Sequence, residues 1–140
     1  MMFIQVIGSF IAVVSFAIII GVPRKFLGHA GFVGAVGWLV YLSLLKVGLS
    51  LVAVMFYAAL VVSLISHSFA RWKKTPVTLF LIAGILPLVP GVGMYRIVYN
   101  LITNNNAMAA YYFNQTIQLA GMIALAIFIM DTIFRLFQKN

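Results

Sequence analysis

The residues of this chain best placed to do chemistry gather in one stretch, Pro87-Leu88-Val89-Pro90-Gly91-Val92-Gly93-Met94-Tyr95-Arg96. The stretch lies inside residues 77–102, a run whose single charge is Arg96 and which exceeds the roughly 20 residues a membrane span needs. Proline lacks a backbone donor and clashes with the carbonyl one turn earlier. Pro87 and Pro90 are therefore expected to end one half-helix, and Gly91 to let a second begin. A break at membrane depth leaves backbone groups unpaired, which is tolerated only against protein or a water-filled cavity. The second half-helix is expected to offer free amides from Gly91 to Met94, with the positive end of its dipole, to an anion at that place.

Helical side chains slant toward the N-terminus, so Arg96 can carry its guanidinium back to the same break. Free amides and an arginine together suit a carboxylate. Pro87, Pro90, Gly91, Gly93 and Arg96 are thus the candidate substrate-binding residues, joined by Asn100 one turn beyond Arg96 on the same face. Tyr95 and Tyr99 repeat the spacing on the adjacent face. Two plainer readings stand beside this one: a kink that relieves packing, and an Arg96 that snorkels to the nearer membrane surface. A mid-span arginine costs about 2.5–3.5 kcal/mol on insertion scales, which weighs toward a role for it.

Composition bounds what surrounds the stretch. Of 140 residues, 65% are hydrophobic and 7% charged, against about 25% charged in a soluble domain. The chain reads as one transmembrane domain over residues 1–140. Asp131 is its one acidic residue, and it has no cysteine, which removes paired-carboxylate and thiol chemistry and any ordinary metal cluster. No enzyme activity, cofactor or metal is expected.

The net charge of +8 is dispersed in short clusters between apolar runs rather than on one exposed face, which argues against nucleic acid. The clusters read as topology signals in a lipid bilayer. Arg24, Lys25, Arg71, Lys73, Lys74, Arg135 and Lys139 fall on alternate connections, and Lys46 falls on the others. Seven against one places the N-terminus outside and the C-terminus in the cytoplasm of a multi-pass protein of the cell membrane.

Five spans are expected in an all-α bundle: residues 2–22, 28–45, 49–66, the broken 77–102 and 112–134. The first has neither a basic leader nor a small-residue cleavage site and is read as retained. The second carries Gly28, Gly31, Gly34 and Gly37, a small-residue ridge that lets helix backbones approach. Packing within the chain is the first reading of the ridge and a dimer seam the second; Trp38 and Tyr41 beside it are taken as lipid or partner contacts. Arg71-Trp72-Lys73-Lys74 reads as a basic aromatic loop on an anionic leaflet. Asn114, Gln115 and Gln118 give the last span a polar outer third that faces protein or water, either lining a pathway or wetting the interface. Asp131 and Arg135 have the spacing of a helical ion pair. His29 and His67 lie near one interface, where a shared proton path is weighed against simple solvation by water and headgroups. A re-entrant hairpin over residues 77–102 would turn the basic tail outward, so the charge bias favours a crossing.

Val22-Pro23-Arg24, residues 31–41 (Gly-Phe-Val-Gly-Ala-Val-Gly-Trp-Leu-Val-Tyr), Ala70-Arg71 with Lys74-Thr75-Pro76, and above all Pro87-Leu88-Val89-Pro90-Gly91 resemble the C-terminal half of the threonine/serine exporter family. In single-chain members this half follows another multi-spanning half. Here it stands alone, like the small subunit of two-component versions, some of which are associated with succinate export. The resemblance implies efflux of small carboxylate-bearing solutes, threonine/serine or succinate-type dicarboxylates, and a larger multi-spanning membrane partner. The alternative is a non-transporting assembly or regulatory subunit of a partner that holds the whole site. No residue roles come with the resemblance.

Overall fold

The computed structural model describes residues 1–139, and among these every regular element is helical. The six α-helices are α1 (Met2–Ile19), α2 (Leu27–Val47), α3 (Leu51–Lys73), α4 (Thr78–Ile85), α5 (Gly91–Ile102) and α6 (Asn106–Gln138). Four of them, α1, α2, α3 and α6, are each long and apolar enough to cross a membrane. The shorter α4 and α5 form a bent pair of 51° that passes the same test when taken together. The broken fourth span is therefore present.

Helix ends differ from the expected spans where local capping stops or extends the chain. The first helix closes at Ile19 rather than residue 22, because Gly21 takes a left-handed φ of 84° and the Val22 amide reaches back to the Ala17 carbonyl at 2.9 Å. The third helix does not stop at Ser66. It continues two turns to Lys73, so Arg71, Trp72 and Lys73 are helical and not a loop. Hydropathy falls at Ser66 and His67, but neither residue breaks a helix; the stop comes from Lys74 in the left-handed region and from Pro76. The last helix starts at Asn106, where the Asn105 side chain accepts from the Met108 amide. At 33 residues it is about 50 Å long, well beyond a hydrocarbon core of about 30 Å.

The glycine ridge packs within the chain. A Cβ at Gly31 would meet Val14 and Phe10 of α1, one at Gly34 would meet Val13, and one at Gly37 would meet Val62 of α3. Gly28 touches nothing. Close approach is sealed by Ser9, whose hydroxyl donates to the Gly34 carbonyl at 3.2 Å. Val13, Val33, Val62, Phe80 and Ala83, all fully buried, fill the space where α1, α2, α3 and α4 meet. Replacing Gly34 by Val is expected to cost about 1–3 kcal/mol through overpacking against Val13. Gly28→Ala should be neutral or mildly stabilising, since a helical glycine costs up to about 1 kcal/mol. Thermal unfolding of both variants in detergent checks this, and equal effects at the two positions would refute it.

The basic side chains of residues 24, 25, 71, 73, 74 and 135 gather at the end of the bundle where α1, α3 and α6 finish. There Arg71 donates to the Phe134 carbonyl at 2.6 Å, tying α3 to α6. The bent pair begins at this end, where residues 75–77 share a cavity with Asp131 and Arg135, and finishes at the turn into α6. It thus runs the length of the bundle.

Candidate functional site: the break between α4 and α5

The break is built by backbone geometry that each residue dictates. Pro87 removes a donor from α4, and the chain tightens into a 3-10 turn over Leu86–Leu88. Val89 is extended, and Pro90 at φ −77°, ψ 58° closes an inverse γ-turn in which the Gly91 amide donates to the Val89 carbonyl at 2.8 Å. This corrects the expectation of free amides from Gly91 to Met94. Gly91 is spent on the turn, and Met94 donates to the Pro90 carbonyl at 3.2 Å. The amides of Val92 and Gly93 remain without a backbone partner at the positive end of α5.

The two residues that carry these amides line a cavity of about 330 Å³, within the range of small-molecule sites. Pro87, Pro90, Gly91, Gly93 and Arg96 all line it. Asn100 does not: its amide donates to the Arg96 carbonyl at 2.7 Å, along the helix rather than toward the cavity. Arg96 reaches back as its position on α5 requires, and its guanidinium lies 5.2 Å from the centre of the Tyr112 ring of α6. The chain's single acid, Asp131, pairs with Arg135 at 2.8 Å at the far end, so Arg96 has no carboxylate partner among the described residues. A cation without a counter-ion, on the same cavity as two unpartnered amides, has chemistry that suits a carboxylate.

The opposite wall comes from residues that the sequence reading set aside. Trp38 and Tyr41 stack at 4.7 Å with their planes 19° apart, and both, half-buried, line the cavity. The signal for them was present: they continue the Gly34–Gly37 face of α2 by one turn, so the ridge that packs inward carries them inward too. From α6, Tyr112, Gln115, Thr116 and Leu119 complete the wall. Gln115 is thus the member of the polar outer third that lines the cavity, while Asn114 and Gln118 stay exposed.

Gly93 has a second role. A Cβ there would collide with the Thr116 hydroxyl, so the residue is what allows α5 to lie against α6. Gly91 has open space around it. No residue of α5 is buried, so the outer flank of this wall is uncovered.

The same order of residues decides the lineage. The family described as Threonine/Serine exporter, ThrE, matches residues 5–133. The chain belongs to the threonine/serine exporter family. The match runs from α1 to the last turns of α6 and includes the whole break. No solved structure matches the chain. Family membership gives this exporter-family chain a transport-related function in a membrane, and the family is one of transporters rather than enzymes.

At the other end of the bundle, the two histidines lie in different surroundings. His29 packs among aromatic rings, 5.3 Å from Phe69 and 6.2 Å from Trp72. His67 stacks on Phe134 at 4.7 Å and brings its Nε2 to 3.9 Å from the Asp131 carboxylate. The Asp131–Arg135 pair forms as its spacing predicts, but the approach of His67 from α3 is a contact no local pattern could announce.

Proposed function

We propose that this chain is the membrane subunit of a secondary exporter of small carboxylate-bearing metabolites, threonine/serine or succinate-type dicarboxylates. The observation that carries the reading is the cavity at the break, where the Val92 and Gly93 amides and the unpaired Arg96 converge opposite Trp38 and Tyr41. The substrate carboxylate is held by the amides and the guanidinium, and its carbon skeleton lies against the stacked aromatic pair. Pro87 and Pro90 hold the break open and in register, and Gly91 lines it.

The outer flank of α5 is uncovered, and a larger multi-spanning partner of the same family covers it in this reading. That exposed flank equally suits an assembly subunit whose partner carries the substrate, so the deciding experiment compares the two arrangements. This polypeptide is reconstituted in liposomes under an imposed proton gradient, alone and with the protein that copurifies with it from native membranes. Gradient-driven efflux of threonine, serine or succinate is expected in the mixture and not from the lone chain. Robust transport by the lone chain would sink the two-component reading, and a mixture indifferent to substitutions around the break would sink the site.

The orientation follows from the charges, with the basic end cytoplasmic and the N-terminus outside the cell membrane. Single cysteines at positions 25, 73 and 105 test it with an impermeant reagent. Position 105 should be labelled from outside while 25 and 73 stay protected, and the reverse pattern would overturn it.

A further inference from the structure

We propose that the cavity between α3, the connection from α3 to α4, and α6 at the basic end of the bundle is a second anion site, taking a small oxyanion, carboxylate or phosphate. It is separate from the break. The two cavities share α3 and α6 as walls, but Met55 lines the first and His67 the second, twelve positions on and so about 18 Å away.

The cavity holds about 440 Å³ and is lined by Arg71, Lys74 and Arg135 against the single acid Asp131, a net charge of +2. Two buried polar atoms in its wall have no hydrogen-bond partner: His67 Nε2 and Thr75 Oγ1. His67 is 8% exposed, and its nearest acid oxygen at 3.9 Å is beyond hydrogen-bond reach. A buried polar atom left without a partner costs roughly 1–3 kcal/mol, so such atoms in one wall call for an occupant. Water can satisfy the two polar atoms, but the excess positive charge at the exposed mouth favours an anion in its place. An oxyanion answers both, offering acceptors to the imidazole and the hydroxyl and charge to Lys74 and Arg71. The start of α4 adds its dipole, since residues 75–77 border the cavity.

The oxyanion has two sources, a dissolved carboxylate or phosphate and the phosphate of an anionic lipid, because basic clefts between helices also hold headgroups. The chain contains two histidines, which gives the experiment an internal control. The full chain, with its histidines labelled with nitrogen-15, is placed in phosphatidylcholine nanodiscs, and the signals are assigned with His29→Gln. Malonate or inorganic phosphate is then titrated at constant pH against chloride of equal ionic strength. The His67 signal should move saturably and the His29 signal should not. Lys74→Gln should raise the half-point by about threefold, the size of one partly exposed charge contact, with Lys46→Gln unchanged. A His67 signal already displaced in phosphatidylglycerol nanodiscs, and deaf there to added anion, assigns the site to lipid phosphate. Movement in the phosphatidylcholine arm that persists in phosphatidylglycerol nanodiscs assigns it to the solute. A His67 signal unmoved in every arm, or moving in step with His29, overturns the proposal, and the wild-type titration decides this even if Lys74→Gln misfolds. The readout involves no transport, so it stands or falls apart from the role proposed for the break.

Discussion

Replacing Arg96 by Gln should raise the half-saturating substrate concentration of the exporter by roughly tenfold to a hundredfold while insertion and assembly stay intact. The range follows from losing a charge-assisted hydrogen bond, worth about 1.5–3 kcal/mol, at about 1.4 kcal/mol per factor of ten. Glutamine keeps most of the side chain's length and its ability to lie against Tyr112, so packing changes little. Arg96→Lys should recover part of the affinity, because the charge returns without the planar fork that meets a carboxylate with two bonds. Lys46→Gln, in the last turn of α2, is the control and should behave as wild type. The measurement is concentration-dependent efflux from co-reconstituted liposomes, with detergent-extracted yield as the index of assembly. Unchanged half-saturation in Arg96→Gln would return the residue to a snorkelling role. A loss of yield equal to the loss of transport would make it structural.

What was legible in the sequence was what repeats within one helix or interrupts it. The two prolines and Gly91 announced the break, the three-residue glycine spacing announced a close helix contact, and Asp131 with Arg135 announced an ion pair. Each depends on neighbours within a turn or two. The helix ends were less legible, because the polar run at Ser66 and His67 lowers hydropathy without lowering helix stability, whereas Lys74 and Pro76 stop the chain. The free-amide count was too generous for a similar reason: a proline before Gly91 permits several turns, and the inverse γ-turn that forms uses up one donor. Contacts between distant helices left no local mark. Arg71 finds the Phe134 carbonyl 63 residues away, and His67 approaches Asp131 across the same α3–α6 seam. Trp38 and Tyr41 fall between these cases, since their face was given by the glycines but their opposite wall was not.

The two glycines of the break should respond in opposite ways, and the contrast tests whether α5 is held where the cavity needs it. At Gly93 an added methyl group would run into the hydroxyl of Thr116, a short branched side chain that cannot swing clear as a long one would. Since α6 is the chief neighbour of α5, the strain falls mainly on that contact. Gly93→Ala should therefore push the two helices apart, at about 1–3 kcal/mol, and reduce transport by more than tenfold, because the Gly93 amide and Arg96 move together with α5. Gly91→Ala meets open space at a helix start and should leave both stability and transport near wild type. Trimming the obstacle supplies the decisive comparison: Thr116→Ala alone should cost little, and combined with Gly93→Ala it should restore much of what the single substitution lost. Residues in direct contact show such non-additivity and distant ones do not, so the same Thr116→Ala change combined with Gly34→Val should give no rescue. Thermal midpoints and efflux rates of the wild type and the three variants at positions 93 and 116 would read this directly. Purely additive losses in that cycle would mean that Gly93 acts through backbone freedom at the break rather than through the seat of α5 on α6.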